Sequence, residues 1–167
     1  MRKTRAPKSL PTHRRRFAGV TLHLNQFLAY KFDFYAREIV QQDGDVVFVL
    51  DASQFAKFSP HATEVRRVVG AAINERVEFV RYSPDLRQFV ANFFPGVAVE
   101  SVKVFDHSDD NGWLVAVEVA ERHYGRAVGR AGRWIRLVNL YFTARYSVSE
   151  VRCVKSTRSP PAPRRPA

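Results

Sequence analysis

The apolar and polar positions between residues 20 and 154 follow one order twice. In the first copy the pattern predicts, in order, a helix over residues 22–30, a strand over 34–40, a hairpin turn with an Asp-Gly step over 41–44, a buried strand over 46–50, a helix over 60–73 and a closing strand that ends near residue 82. The helical segments carry apolar residues three and four positions apart, whereas the strands are short apolar or alternating runs. We call this copy the first unit, residues 20–82.

The second copy begins at once, with almost no linker after Tyr82. Ser83 is the predicted helix cap and Pro84 the first helical residue, because a serine hydroxyl accepts from free N–H groups and proline has no N–H to satisfy. The elements predicted next are a helix that ends at Pro95-Gly96, a strand around 102–104, a polar turn over 107–112, an alternating strand over 113–119, a helix over 131–142 and a closing strand over 148–154. We call this copy the second unit, residues 83–154.

Both units have the order helix, strand, strand, short helix, loop, helix, strand. A repeated order of this kind predicts an α+β fold in which a two-layer unit, a three-stranded sheet against helices, is duplicated end to end. A unit of about 60–70 residues buries only a limited core by itself. We therefore expect the two units to pack rigidly against each other.

The net charge of +11 is distributed unevenly along the 167 residues. Residues 1–16 hold seven Lys or Arg and residues 155–167 hold four, with no acid in either segment, so that the 16 basic and 16 acidic residues between them balance. The predicted arms are residues 1–19 and 155–167, and their candidate RNA-contacting cations are Arg2, Lys3, Arg5, Arg14, Arg15, Arg16, Arg164 and Arg165. Two cationic arms on a neutral body favour contacts with a polyanion such as RNA.

The arms are also compatible with two alternative roles, namely solubilising disordered tails and an Arg-rich organelle transit peptide. Pro7 and Pro11 would interrupt the helix that a transit peptide needs. No apolar run approaches the roughly 18 residues of a membrane span, so we expect a soluble protein without a membrane partner. The single Cys153 excludes a disulfide framework, fits a reducing compartment and lies in an alternation typical of a core strand.

The most specific local feature is the segment Gly129-Arg130-Ala131-Gly132, which we call the glycine loop. Glycine lets the backbone adopt unusual angles and lets another backbone approach closely, and the start of the predicted helix after the loop favours a phosphate. Five arginines lie within fifteen residues here: Arg122, Arg126, Arg130, Arg133 and Arg136. Glu121 is the only acid near them in sequence. These features predict a clamp for a phosphate backbone, with Val128 and Ile135 beside the bases, at the place where a KH module holds four nucleotides.

The thirteen residues from Gly125 to Leu137, Gly-Arg-Ala-Val-Gly-Arg-Ala-Gly-Arg-Trp-Ile-Arg-Leu, resemble the second KH module of archaeal NusA-like proteins. That family usually has Gly-Arg-Ala-Ile-Gly-Lys/Arg-Gly-Gly followed by Asn-Ile/Val-Arg/Lys-Leu. The resemblance covers roughly residues 20–154 and implies two tandem type II KH modules, one in each unit. It also implies an archaeal-type cytoplasm and a protein that binds nascent transcripts or structured RNA, with no catalytic residues and no small-molecule substrate.

Carried over position by position, the resemblance implies that Gly129 and Gly132 bound the clamp. It implies that Arg130 and Ala131 form its tip, and that Arg133 and Arg136 start the helix behind it. Basic arms are not a regular feature of that family.

The chain departs from the family pattern at three places. Ala131 stands where a glycine is common, and Trp134 replaces a small polar residue and either stacks on a base or fills a gap. In the first unit the equivalent loop is Ser59-Pro60-His61-Ala62, which has neither glycine. We therefore expect the first unit to be a structural or protein-contacting partner with a degenerate RNA groove.

The remaining polar clusters predict neither catalysis nor a metal or cofactor site. The turn around His107 holds Asp106, Asp109 and Asp110, but without the ordered spacing of a calcium or zinc site, and a solvated hairpin tip is the simpler interpretation. No motif for nucleotide hydrolysis or acyl transfer occurs. We predict a non-catalytic RNA-binding protein.

Three biological settings stay open at this point. The arms and the lost first loop favour a ribosomal component that contacts ribosomal RNA and ribosomal proteins. The resemblance of the body favours a NusA-type factor of transcription elongation, termination or antitermination, which binds a nascent transcript and RNA polymerase. A protein–protein adaptor that has lost RNA binding is the third.

Overall fold

Among the described residues, the first unit forms three helices and three strands. In this computed structural model, which describes residues 14–73, 76–107 and 112–157, its elements are α1 (Arg14–Phe32), β1 (Glu38–Gln42), β2 (Asp45–Leu50), α2 (Ala52–Phe58), α3 (Ala62–Ile73) and β3 (Arg76–Arg81). A single 3-10 turn, Ser59–His61, joins α2 to α3.

The second unit repeats this order. Its elements are α4 (Leu86–Asn92), β4 (Val99–His107), β5 (Gly112–Val119), α5 (Tyr124–Val128), α6 (Arg133–Arg145) and β6 (Val148–Lys155). The 3-10 turn Glu121–His123 precedes α5, and a second one, Arg130–Gly132, separates α5 from α6.

The two sheets have the same topology. Their strand orders are β1-β2-β3 and β4-β5-β6. In each sheet the middle strand is antiparallel to the strand before it in sequence and parallel to the strand after it. The parallel pair requires a helical crossover, which α2–α3 and α5–α6 supply. The predicted α+β class and the repeated order of elements are therefore confirmed.

The first sheet is buried on both faces, and every residue of β2 is buried. On one face Phe48 packs against Phe79, and Phe79 stacks on Phe58 of α2 with ring centroids 4.5 Å apart. On the other face Val47 and Val49 belong to the core of the second unit. Side chains alternate between the faces of a strand, so an all-apolar strand is what a doubly covered sheet requires.

Helices of the second unit lie between the two sheets. Phe89 of α4 and Leu137 of α6 belong to the same core as Val47, and that core also includes alternate residues of β5 such as Val115 and Val117. The order of layers is therefore helices of the first unit, first sheet, helices of the second unit and second sheet. The outer face of the second sheet has no further layer among the described residues.

A polar contact ties α6 to β1 within this junction. The Tyr141 hydroxyl donates to Glu38 Oε2 at 2.7 Å, and Arg145 Nε lies 3.4 Å from the same oxygen. Burial, followed by the hydrogen bond to Glu38, raises the pKa of Tyr141 far above its usual range. The phenol therefore stays protonated and keeps donating at any ordinary pH.

Several predicted boundaries differ from those of the structure, and for three of them the structure shows the physical context. The strand predicted from residue 34 begins at Glu38. The Asn25 side chain accepts from the Ala36 N–H at 2.8 Å and donates to the Ala36 carbonyl at 3.1 Å. These two bonds take the place of the backbone hydrogen bonds that Ala36 would make to a neighbouring strand. The cap of α4 is Asp85 instead of Ser83, since the Asp85 carboxylate accepts from the Gln88 N–H at 2.9 Å.

The third difference concerns α1. The helix begins at Arg14, soon after Pro11, the last proline before it, instead of at residue 22. Residues 14–19 of the predicted arm are therefore helical. Among the described residues, no helix combines the length and the apolar character that crossing a membrane requires.

Candidate nucleic-acid interface

The backbone of the glycine loop makes a sharp, left-handed connection between α5 and α6. Gly129 has φ 79° and ψ 169°, Ala131 has φ 51° and Gly132 has φ 70°. A Cβ on Gly129 would lie 2.6 Å from Trp134 Cβ and 2.9 Å from the Trp134 backbone nitrogen. Position 129 therefore requires glycine for two reasons: the backbone angles are unfavourable for other residues, and α6 approaches too closely for a Cβ.

The loop leaves backbone donors at its tip. The Gly129 N–H donates to Gly125 O at 2.9 Å and the Gly132 N–H to Gly129 O at 3.0 Å. The N–H groups of Arg130 and Ala131 have no such acceptor among the described residues, and both residues are exposed. Because the thirteen-residue helix α6 starts directly behind them, its positive end adds to these donors. An anion at the tip would be bound favourably.

Trp134 does not face solvent. Its side chain is buried, Nε1 donates to the Phe93 carbonyl at 2.8 Å, and the Arg76 guanidinium lies 4.1 Å from the centre of the ring. Of the two roles considered for Trp134, the structure shows that it fills the core. Stacking on a base is excluded, because both the edge and a face of the ring are occupied within the protein.

The arginines around the loop differ in their exposure and in their partners. Arg126 and Arg130 are exposed, with the Arg126 guanidinium beside Gly96. Arg133 is half-buried over Gly44, and its Nε is buried without an acceptor among the described residues.

Arg136 is shared between two partners. Its Nη1 donates to Ala131 O at 2.7 Å, and its Nε lies 3.5 Å from Asp43 Oδ2. Glu121 is the only acid near these arginines in sequence, but the fold also brings Asp43 of the β1–β2 turn to the loop.

The predicted base-contacting residues flank the loop on both sides. Val128 ends α5, Ile135 lies in the first turn of α6, and both are half-buried. Ile135 also packs against the second-unit core. Both side chains therefore keep part of their apolar surface exposed beside the loop.

Only three of the predicted arm cations belong to the described residues. The following lie outside the described residues: Arg2, Lys3, Arg5, Arg164 and Arg165. Arg14, Arg15 and Arg16 form the first turn of α1, where only the backbone is described. Their contact with RNA stays a prediction.

The corresponding connection of the first unit is a continuous right-handed turn. Ser59 has φ −53° and ψ −44°, and Ala62 has φ −52° and ψ −44°. The Ser59 N–H donates to Phe55 O, the Ala62 N–H donates to Ser59 O, and Pro60 has no N–H. The His61 ring packs 5.6 Å from the Phe32 ring. This connection lacks both the left-handed backbone and the free donors of the glycine loop.

Among the residues that the structure describes, the other polar groups form no comparable site. Within the described ranges, no group of three or more His, Cys, Asp or Glu residues could hold a metal ion, and residues 108–111 of the acidic turn lie outside those ranges. Cys153 is half-buried against the second-unit core, and burial raises its pKa to about 11. A shallow depression of about 350 Å³, lined by residues that include Arg87 and the exposed Trp113, lies on the second unit.

Sequence reasoning missed Asp43 and Gly44 as neighbours of the glycine loop. The Asp-Gly step was found only as a hairpin turn, and residues 43 and 136 are far apart in the chain. Their proximity depends on how the two units pack. No local pattern carries that signal.

The comparisons with known proteins show the fold alone. No protein-family model matches the chain, and no curated protein matches it either. Among solved structures, the chain is similar to the crystal structure of APE1850, with 21% sequence identity, 80% of this chain and 96% of that chain covered, and a TM-score of 0.61. The shared architecture is thus seen at a low level of sequence identity.

Proposed function

We propose that this protein is a non-catalytic RNA-binding protein built from two tandem type II KH modules, in which the glycine loop of the second unit binds the RNA backbone. The observation that carries the proposal is the left-handed loop itself. The N–H groups of its exposed residues Arg130 and Ala131 have no acceptor among the described residues, and they lie directly at the start of a thirteen-residue helix. This is the chemistry that a phosphate needs.

The neighbouring side chains extend the site in two directions. Arg126 and Arg130 are exposed cations that add charge-assisted contacts to phosphate oxygens. Val128 and Ile135 supply apolar surface for the bases, which are unpaired in single-stranded RNA and therefore free to leave the stack. The arms add contacts that do not depend on sequence.

For the biological setting we propose a ribosomal component that contacts ribosomal RNA. The support is the charge distribution, since residues 1–16 and 155–167 together hold eleven Lys or Arg and no acid. The alternative is a NusA-type transcription factor that contacts a nascent transcript and RNA polymerase, which the resemblance around the glycine loop supports. A cytoplasmic location follows from either setting.

A pair of substitutions at Ala131 tests RNA binding at the loop. Asp and Asn both tolerate the left-handed backbone of this position and are similar in size, but only Asp adds a negative charge. We expect Ala131→Asp to weaken binding of a single-stranded RNA, measured by fluorescence anisotropy, by about tenfold or more, because it sets like charges against each other. Ala131→Asn should bind within about twofold of the unchanged protein. Equal affinities for the two variants would place the RNA elsewhere, and an unchanged protein that binds no RNA would support the adaptor.

Sedimentation of a native cell extract distinguishes the two settings. The protein is followed by antibody through a sucrose gradient at low and then at high salt. Persistent migration with a ribosomal subunit at high salt is the result expected of a ribosomal component. Migration with RNA polymerase, away from ribosomal fractions, would support the NusA-type role.

A further inference from the structure

We propose that Asp43, in the β1–β2 turn of the first unit, is a positioning residue for the glycine loop of the second unit, so that the RNA site is built by both units. This inference rests on the proposed function, because it assigns a role within the same site. It gives the first unit a part in RNA binding although its own loop is degenerate.

The contact runs from Asp43 to the loop through one arginine. Asp43 Oδ2 lies 3.5 Å from Arg136 Nε, and the other end of that guanidinium donates to Ala131 O at 2.7 Å. The Ala131 carbonyl belongs to the residue with the left-handed φ of 51° at the loop tip. Asp43 therefore orients the guanidinium that holds the tip in the conformation which exposes its N–H groups.

The β1–β2 turn also contacts residues at the other end of the glycine loop. The Arg133 guanidinium lies over Gly44, where a Cβ would collide with it. The Arg76 N–H donates to Gly44 O at 3.2 Å, and the Arg76 guanidinium covers the ring of Trp134. Trp134 is the residue against which Gly129 packs. The β1–β2 turn of the first unit is thus connected to both ends of the glycine loop, through Arg136 at one end and through Arg76 and Trp134 at the other.

The sign of the effect of removing Asp43 separates positioning from simple electrostatics. A carboxylate beside a phosphate site repels RNA, so electrostatics alone predicts that its loss strengthens binding. If Asp43 positions the loop, its loss should instead weaken RNA binding, although the protein becomes more positively charged. Both side chains of the pair are about half exposed, at 51% for Arg136 and 48% for Asp43, so the effect is modest.

Asp43→Asn is the decisive variant, and Asp33→Asn is its matched control. Asn keeps the left-handed conformation of both positions, φ 52° at Asp43 and φ 57° at Asp33. Asp33 also forms an exposed ion pair, 2.9 Å from Lys57, but in the first unit and away from the loop. We expect Asp43→Asn to weaken single-stranded RNA binding about two- to fivefold, the change that corresponds to an exposed ion pair. Asp33→Asn should leave binding unchanged or slightly stronger.

Two further readouts separate positioning from general damage. The slope of log K against log salt should not change in Asp43→Asn, because this residue contacts no phosphate. Arg136→Gln combined with Asp43→Asn should bind no more weakly than Arg136→Gln alone, since both changes break one chain of contacts. Affinities are measured well below each variant's unfolding temperature, so that a change of stability does not enter the comparison.

The outcomes distinguish this inference from the proposed function. If the unchanged protein binds no RNA, or if Ala131→Asp has no effect, the proposed function fails. If Ala131→Asp weakens binding about tenfold or more while Asp43→Asn binds as tightly as the unchanged protein, or more tightly, the loop binds RNA without help from Asp43 and the inference is overturned.

Discussion

The two helix-to-helix connections occupy the same place in the same topology and differ in almost every physical respect. Residues 59–62 continue a right-handed path that uses its N–H groups internally, whereas residues 129–132 turn left-handed and leave two N–H groups exposed. The sheets, crossovers and strand directions around them are alike. The comparison indicates that the apolar pattern determines the fold, whereas the four residues of each connection determine its backbone path and whether N–H groups remain free in it.

The units also differ in what surrounds their sheets. The first sheet is covered by helices on both faces, and the second on one face only among the residues that the structure describes. The helices of the second unit pack on the first sheet, through Val47, Val49 and the hydrogen bond from Tyr141 to Glu38. The unit without a glycine loop thus contacts the helices that flank the loop of its neighbour.

The largest expected effect comes from removing the feature that most separates the two connections. Gly129→Ala should destabilise the protein by about 2–4 kcal/mol, because alanine is strained at φ 79° and its Cβ would collide with Trp134. Ser59→Ala, at a right-handed and exposed position, should change stability by less than about 0.5 kcal/mol. Urea denaturation of both variants measures the difference, and equal midpoints would contradict the described loop geometry.

The next effect concerns the contact between the units. Tyr141→Phe should cost about 1–2 kcal/mol, since it removes a buried hydroxyl that donates to Glu38. Tyr30→Phe is the control, because Tyr30 is 92% exposed, and it should have no measurable effect. Thermal unfolding followed by circular dichroism compares the two. A single transition that shifts as a whole is expected, and a second transition in Tyr141→Phe would show that the units fold separately.

A smaller effect is expected from the arms. Removing residues 1–13 and 158–167 deletes seven Lys or Arg and no acid, and leaves every described element in place. The slope of log K against log salt for RNA binding should fall by about 0.7–0.9 for each phosphate contact that is lost. An unchanged slope would show that the arms do not touch the RNA.

The smallest effect tests the first-unit connection directly. His61→Asp adds the same charge as Ala131→Asp, at the equivalent and likewise exposed connection. We expect its RNA affinity to stay within about twofold of the unchanged protein, apart from weak long-range repulsion. A loss as large as that of Ala131→Asp would mean that RNA also contacts the first connection and that the contrast between the units is incorrect.

Local patterns predicted most elements but not where the units meet. The alternation of Val115, Val117 and Val119 predicted β5, and the continuous apolar run in β2 predicted a buried strand. The start of β1 was missed because Asn25, eleven residues before Ala36, supplies the hydrogen bonds that a strand neighbour would otherwise make.

The candidate site was predictable in its backbone and not in its side chains. The spacing of Gly129 and Gly132 indicated a special connection, and both residues do have positive φ. Sequence proximity to the loop did not reveal the contacts of these side chains, because the fold brings residues of the first unit to them: Gly44 to Arg133, Arg76 to Trp134 and Asp43 to Arg136. Long-range packing decides which charges remain free for a ligand.

Hydrogen–deuterium exchange with and without saturating single-stranded RNA tests the central claim most directly. Peptides that cover residues 59–66 and 129–136 report on the two connections within one sample. We predict that RNA slows exchange at Arg130 and Ala131, whose N–H groups are exposed at the loop tip, and leaves residues 59–62 unchanged. Slower exchange at residues 59–62 alone, or at neither connection while RNA is bound, would contradict this claim.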